Sequence, residues 1–199
     1  KSTNEGVNWE VIGIWNDLGS TSLKVTETHV FRGTYDVIIY RTSDEGINWE
    51  MIRNGLPNNS APVNVIETCN GFLFATIDAE GIFRSTNNGD NWIDVNNDVT
   101  RYYGIISIAS NGEYIFAADR YNYIFRGNAS GENWTRVLID STLEFNKIID
   151  FGDDIFVSTT SKGILRSTNN GINWMYVNNG LLNLSVTSII VSGNNLFAS

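Results

Sequence analysis

Five tryptophans, Trp9, Trp49, Trp92, Trp134 and Trp174, stand 40, 43, 42 and 40 residues apart, and each closes a Gly-x-Asn-Trp string. A fixed period near forty residues marks a repeat architecture, in which one small unit cannot bury its own apolar faces and relies on its neighbours. The register runs beyond the tryptophan. A phenylalanine lies 18 residues before four of them (Phe31, Phe74, Phe116, Phe156), and Phe197 holds the same place in a further unit. A basic residue lies eight before every one: Lys1, Arg41, Arg84, Arg126 and Arg166. The Phe-to-Trp distance never changes, whereas the distance from Trp to the next Phe varies from 22 to 25. Constant spacing predicts paired strands with tight turns, and variable spacing predicts a loop that tolerates insertion.

Within one unit the sequence predicts four short strands: Val63 to Thr68, Phe72 to Ile77 after an Asn70-Gly71 turn, Gly81 to Ser85, and Trp92 to Val95 after a turn over Asn87 to Asn91. Each run is rich in β-branched and aromatic residues and is bounded by Asn, Gly or Asp, residues that accept positive φ or bend the chain. Nothing reads as a helix of useful length. The expected fold class is therefore all-β: a β-propeller of four-stranded blades, with about five blades in residues 1–199 as one domain or segment. The units fall near residues 1–40, 41–83, 84–125, 126–165 and 166–199. The recurring Phe and Trp side chains are expected to fill the space between blades. Lys1 aligns late in a third strand and Ser199 just past a second, which favours a segment of a longer array over a five-bladed ring with one defective blade.

Charge narrows the partners. The formal net charge is −9 and no basic stripe occurs, so nucleic-acid binding is not expected. No apolar run approaches the roughly 18 residues of a membrane span, so direct membrane insertion is not expected either. Cys69 is the single cysteine, which rules out an internal disulfide, and it reads as a small core residue. Lys1 to Gly6 do not resemble a signal peptide.

The string before each tryptophan resembles the Asp-box, the bacterial neuraminidase repeat Ser-x-Asp-x-Gly-x-Thr-Trp. It appears as Ser2-Thr-Asn-Glu-Gly-Val-Asn-Trp9, Thr42-Ser-Asp-Glu-Gly-Ile-Asn-Trp49, Ser85-Thr-Asn-Asn-Gly-Asp-Asn-Trp92 and Ser167-Thr-Asn-Asn-Gly-Ile-Asn-Trp174. A departing copy, Gly127-Asn-Ala-Ser-Gly-Glu-Asn-Trp134, lacks the Ser and Asp positions. The resemblance implies that Asn4, Gly6, Trp9, Asp44, Gly46, Trp49, Asn87, Gly89, Trp92, Gly131, Trp134, Asn169, Gly171 and Trp174 are structural. The third-position Asn or Asp folds an oxygen back onto turn amides, the glycine takes the left-handed bend and the indole anchors the hairpin. With Ala129 in the brace position, the departing turn is expected to be looser. Proteins with this repeat include sialidases, xyloglucan hydrolases, sortilin-type receptors and photosystem II assembly factors, so the box alone does not choose among roles.

No catalytic constellation stands out. His29 has no Cys or His near it in sequence, and Asp153-Asp154 reads as a solvated turn. The arginines recur at one repeat position, which suits a scaffold role along an aromatic ring or beside a blade carboxylate, and the Arg-Ile-Pro element of sialidases is absent. No zinc spacing or phosphate loop occurs, so no metal or cofactor is expected. Four sequons begin at Asn58, Asn128, Asn133 and Asn183 and carry meaning only in a eukaryotic secretory setting. The region that leaves the repeat is more informative. Arg101, Tyr102 and Tyr103 fall in a fourth-to-first strand loop, and Arg120, Tyr121 and Tyr123 in the following second-to-third strand turn, with Trp15 and Tyr35 in comparable loops. Rings with nearby guanidinium groups form oriented surfaces for protein or glycan partners. The expected role is a non-catalytic extracellular, cell-surface or periplasmic scaffold. Two alternatives stand: a glycoside hydrolase fragment, sialidase-like or xyloglucanase-like, and an assembly factor for a membrane complex.

Overall fold

The computed structural model describes residues 1–12, 19–97, 100–101, 104–120, 122–138 and 142–199. The described strands form five antiparallel sheets, four of them four-stranded meanders. The first holds β1 (Ser20–Val25), β2 (Val30–Thr34), β3 (Ile39–Thr42) and β4 (Glu50–Ile52). The second holds β5 (Val63–Cys69), β6 (Phe72–Ile77), β7 (Gly81–Ser85) and β8 (Ile93–Asp94). The third holds β9 (Ile105–Ser110), β10 (Tyr114–Asp119), β11 (Tyr123–Asn128) and β12 (Thr135–Leu138). The fourth holds β13 (Phe145–Phe151), β14 (Asp154–Thr159), β15 (Ile164–Ser167) and β16 (Met175–Tyr176), and the fifth pairs β17 (Ile189–Ser192) with β18 (Asn195–Ala198). None of the described residues forms a helix long and apolar enough to cross a membrane.

Successive sheets meet through their first strands, β1 against β5, β5 against β9, β9 against β13 and β13 against β17, so these strands form the inner edge of the stack. The first strands of the four-stranded sheets each carry a bulge opposite the second strand, at Thr21, Asn64, Ile106 and Asn146. Two bulged side chains reach beyond their own sheet: Thr21 Oγ1 donates to Val63 O of β5 at 2.7 Å and Asn146 Nδ2 to Val186 O, ahead of β17, at 2.9 Å. A bulge thereby re-aims a side chain that regular pairing would hold within the sheet.

The second strands β6, β10 and β14 are covered on both faces by neighbouring sheets, which explains why they read as largely apolar runs rather than alternating ones. Leu73 to Ile77 and Ile115 to Asp119 are buried throughout. The core accordingly divides into clusters that each join consecutive sheets. One gathers Phe31 and Ile39 with Leu73 and Trp92, the next Phe74 and Ile82 with Ile115 and Trp134, and the next Phe116 and Ile124 with Ile155.

The fourth strand is shorter than the sequence predicts, covering only Ile93–Asp94 in the second sheet. Asn96 supplies the reason. Its Oδ1 accepts from Ile82 N at 2.8 Å and its Nδ2 donates to Glu80 O at 3.0 Å, so a side chain replaces the backbone ladder. Asn178 repeats the device on Ile164 N at 2.8 Å and Lys162 O at 3.0 Å.

Candidate functional site

Three surfaces carry polar or aromatic side chains worth testing for function. On the first, the hairpin turns before the tryptophans, four turns share one wiring. Ser2, Thr42, Ser85 and Ser167 hydroxyls accept from the N–H of Gly6, Gly46, Gly89 and Gly171 at 2.9, 3.1, 2.8 and 2.9 Å. Side-chain oxygens of Asn4, Asp44, Asn87 and Asn169 accept from the N–H of Asn8, Asn48, Asn91 and Asn173 at 2.9, 2.9, 3.0 and 2.8 Å. Both acceptors saturate amides that a tight turn would otherwise leave unpaired.

The departing turn is rewired rather than unbraced. Asn128 Oδ1 accepts from Ser130 N at 3.2 Å and from Glu132 N at 2.8 Å, supplying from the preceding residue the acceptor that Ala129 lacks. A Cβ at Gly127 would stand 3.0 Å from the Trp134 ring, so the indole lies where the usual Ser or Thr would be.

The tryptophans differ in environment although their strings match. Trp92 and Trp134 are buried, Trp49 and Trp174 are half-buried, and Trp9 is 76% exposed. Trp92 and Trp134 sit in the clusters that join two sheets, and Trp174 packs against the next such cluster. Trp134 Nε1 donates to Val95 O of the preceding sheet at 3.0 Å, while Trp49 and Trp174 donate to their own Gly46 and Gly171 carbonyls at 3.0 and 3.1 Å.

The recurring basic residues reach forward to the next turn. Lys1 pairs with Glu45, and Arg41 Nη1 donates to Asn88 O at 2.6 Å and Asp90 at 2.7 Å. Arg84 pairs with Glu132 at 3.1 Å, and Arg126 Nη1 donates to Asn170 O at 2.9 Å. Arg84 and Arg126 also lie over Phe72 and Tyr114, each 5.0 Å from the ring centroid. Arg166 instead turns back to Asp154 in its own sheet, its Nε donating at 2.8 Å. These cations fasten one sheet to the turn of the next, and a substrate carboxylate would have to displace that fastening.

Asp44 is the one carboxylate among the four braces. The Asn48 backbone N–H, the Thr42 hydroxyl and the Asn48 side chain hold its carboxyl well below the usual carboxylate range, at about 2. A depressed folded-state pKa stabilises the fold above the unfolded value of about 3.9, and the contribution fades as pH falls toward the folded value. Asp44→Asn is expected to remove that part of the acid sensitivity between about pH 4 and pH 2, so the variant lies slightly below the parent protein at neutral pH and the two converge as pH falls toward 2. Melting curves of both proteins from pH 7 to pH 2 check it, and parallel acid losses would overturn it.

The second surface carries the irregular loops. Trp15, Tyr102, Tyr103 and Tyr121 lie outside the described residues. Of the remaining candidates, Tyr35 occupies the β2–β3 turn and is 49% exposed. Arg101 pairs with Asp94 at 2.7 Å, and Arg120 stands 4.0 Å from Asp78 of the preceding sheet. Tyr123 is half-buried, with Arg136 lying 4.6 Å from its ring centroid and Phe125 beside it at 6.3 Å, so part of the ring packs on the core. The structure thus brings Arg120 of the third sheet to Asp78 of the second, but it places Tyr35 two sheets away from Arg120.

A third surface escaped the sequence reading. The ends of the inner strands frame an open concavity of about 760 Å³, edged by Lys24, Glu67, Lys147 and Asp150. Lys24 and Glu67 pair across two sheets. Charged residues within the first strands, Lys24, Glu67, Lys147 and Asp150, were the available signal. Cys69 lines the same concavity, but burial first, then Glu67 and Asp150, push its thiol up to about 12. A protonated thiol is a poor nucleophile, so the geometry offers no cysteine chemistry here. No group of three or more metal-ligating side chains occurs among the described residues. His29 lies beside Thr28, with Oγ1 and Nδ1 2.8 Å apart.

The sequence matches no family model and no curated protein. Similarity lies in the solved structures. An ancestral GH74 enzyme superposes with a TM-score of 0.72 at 18% identity, over 94% of this chain and 29% of that one. YCF48 bound to D1 peptide gives 0.67 at 16% identity, over 96% and 64%. BamB from Moraxella catarrhalis gives 0.66 at 13% identity, over 92% and 56%. The chain therefore spans less than two-thirds of each of these proteins. Identity at this level establishes the fold alone. Stacked four-stranded meanders meeting through their first strands, together with these likenesses, define the chain as part of a β-propeller.

Proposed function

We propose that this chain is a non-catalytic binding scaffold of the Asp-box type, exported to the cell surface, the periplasm or the medium. One observation carries the reading: the polar side chains that recur along the repeats bond within their own turn or sheet, or to the turn of the next sheet. Ser85 and Asn87 brace a hairpin, and Arg41, Arg84 and Arg126 fasten neighbouring sheets. Catalysis needs unlike groups converging on one reacting atom, and these groups already hold one another. The proposed recognition surface comprises Tyr35, Arg101, Arg120 and Tyr123, together with Trp15, Tyr102, Tyr103 and Tyr121 of the irregular loops. A protein partner suits it, and the YCF48 structure with D1 peptide supplies a precedent on this fold. A glycan partner fits the same rings.

The second reading, a glycoside hydrolase fragment, draws on the likeness to the GH74 enzyme. One panel separates the two. Incubation with sialosides and β-glucans is expected to release no reducing sugar or sialic acid, and reproducible turnover would replace the scaffold with the hydrolase.

A further inference from the structure

The turns that join first to second strands differ in one place. In the second sheet Asn70 and Gly71 take positive φ, at +53° and +78°, and in the third Gly112 takes +89°. Turns of these types match the twist of the strands they join. In the first sheet the corresponding pair is Glu27-Thr28, and neither residue takes positive φ. Side chains of this kind make the left-handed bend costly, and the unprimed turn that results splays its strands.

The difference opens a junction. In the second and third sheets an amide at the turn crosses to the next sheet. Asn70 Nδ2 donates to Ala129 O at 3.0 Å, and Ser110 Oγ donates to Asn70 Oδ1 at 3.1 Å. Asn111 Nδ2 donates to Asn170 Oδ1 at 2.7 Å, and Asn170 Nδ2 to Glu113 at 3.1 Å. In the first sheet Thr26 Oγ1 donates to His29 O at 3.1 Å, and Thr28 Oγ1 lies 2.8 Å from His29 Nδ1, so the turn bonds to itself. Among the described residues no hydrogen bond joins it to the facing turn that carries Asn88. A cleft of about 550 Å³ separates the two. Its walls come from two complete four-stranded sheets, so it is a property of this one junction.

The lining limits what can enter. Phe31 and Leu73 are buried in the cluster beneath it, and the half-buried Phe72 lines one side, with Arg84 over its ring at 5.0 Å. The exposed Glu27, Thr68 and Asn88 supply a carboxylate, a hydroxyl and an amide, and no lysine or arginine lines the cleft. An anionic ligand would meet Glu27 with no cation to offset it. A neutral sugar matches both halves of the lining, its C–H face on the apolar side and its hydroxyls on the three polar groups. The volume falls within the roughly 300–1,000 Å³ of ligand pockets.

We propose that this cleft binds a short neutral oligosaccharide, with a pyranose ring against Phe72 and hydroxyls bonded to Glu27, Thr68 and Asn88. None of these residues belongs to the loop surface assigned to recognition above, so either site can fail without the other.

Calorimetric titration of the 199-residue chain with chitotriose, cellotriose and the acidic trigalacturonate tests the proposal. Saturation by a neutral trisaccharide is expected within about 10 mM, with affinity for the acidic one at least about tenfold lower. Asn88→Gly removes the amide at a position whose φ of +53° glycine accepts freely, and should weaken neutral binding at least about tenfold. Glu27→Asn combined with Thr28→Gly installs the Asn-Gly pair of the second sheet and should close the cleft, with the same loss. The far-ultraviolet spectrum should be retained in both variants. No saturation by either neutral sugar, equal affinity for the acidic one, or an affinity unchanged in either variant would overturn the proposal. Binding lost on Tyr35→Ser and kept in the cleft variants would belong to the loop surface and would overturn it too.

Discussion

Replacing Phe74 by alanine is expected to lower the stability of the chain by about 3–5 kcal/mol, whereas Ile172→Ala, in an exposed turn, should stay within about 0.5 kcal/mol. Phe74 is fully buried, and the Gly131 turn of the next sheet lies over its ring. Truncation therefore removes ring burial and leaves a hole that two sheets share. Ile172 is 66% exposed, so little packing is lost there. For a chain of this length the difference corresponds to a fall in melting temperature of about 6–20 °C for the first variant. Calorimetry of the two variants side by side decides the matter. Equal shifts would show that packing between sheets is not what stabilises the repeat.

Gly131→Ala should rank close behind, at about 2–5 kcal/mol, for two additive reasons. Its φ of +74° lies in the left-handed region, and a Cβ there would come within 2.5 Å of the Phe74 ring. Gly112→Ala separates the two contributions. That residue also has positive φ, at +89°, yet a Cβ would meet nothing within 4 Å. Only the backbone cost of about 1–2 kcal/mol should remain. Urea midpoints for both variants measure the gap, and an equal loss would place the whole effect in the backbone rather than in the seat on Phe74.

How much of the molecule could be read in advance follows from how local each feature is. The second-strand runs around Phe74 and Phe116, the turns at Asn70-Gly71 and Asn87 to Asn91, and the all-β class were visible because strand and turn signals act over a few residues. The fourth-strand length was misjudged because Asn96 closes the sheet with its amide, and a side chain substituting for a backbone ladder looks like an ordinary loop residue. The turn at Ala129 was expected to loosen. Asn128 takes over as acceptor, which only the bond geometry reveals. On the recognition surface, Tyr123 was grouped with the exposed rings, and its contacts with Arg136 and Phe125 show how much of it packs inward. The concavity beside Lys24, Glu67, Lys147 and Asp150 escaped notice because its edge comes from strands roughly forty residues apart.

By itself the sequence determined the period, the strand-and-turn grammar of each unit and the turn residues that brace it, because those depend on neighbours along the chain. Only the tertiary structure decided what each repeated residue faces. Trp134 and Trp174 close the same Gly-x-Asn-Trp string, yet one indole donates to Val95 O of the preceding sheet and the other to Gly171 O of its own turn. The physical reason is that burial belongs to the junction between two sheets, and a junction is made by whichever surface the neighbouring sheet presents.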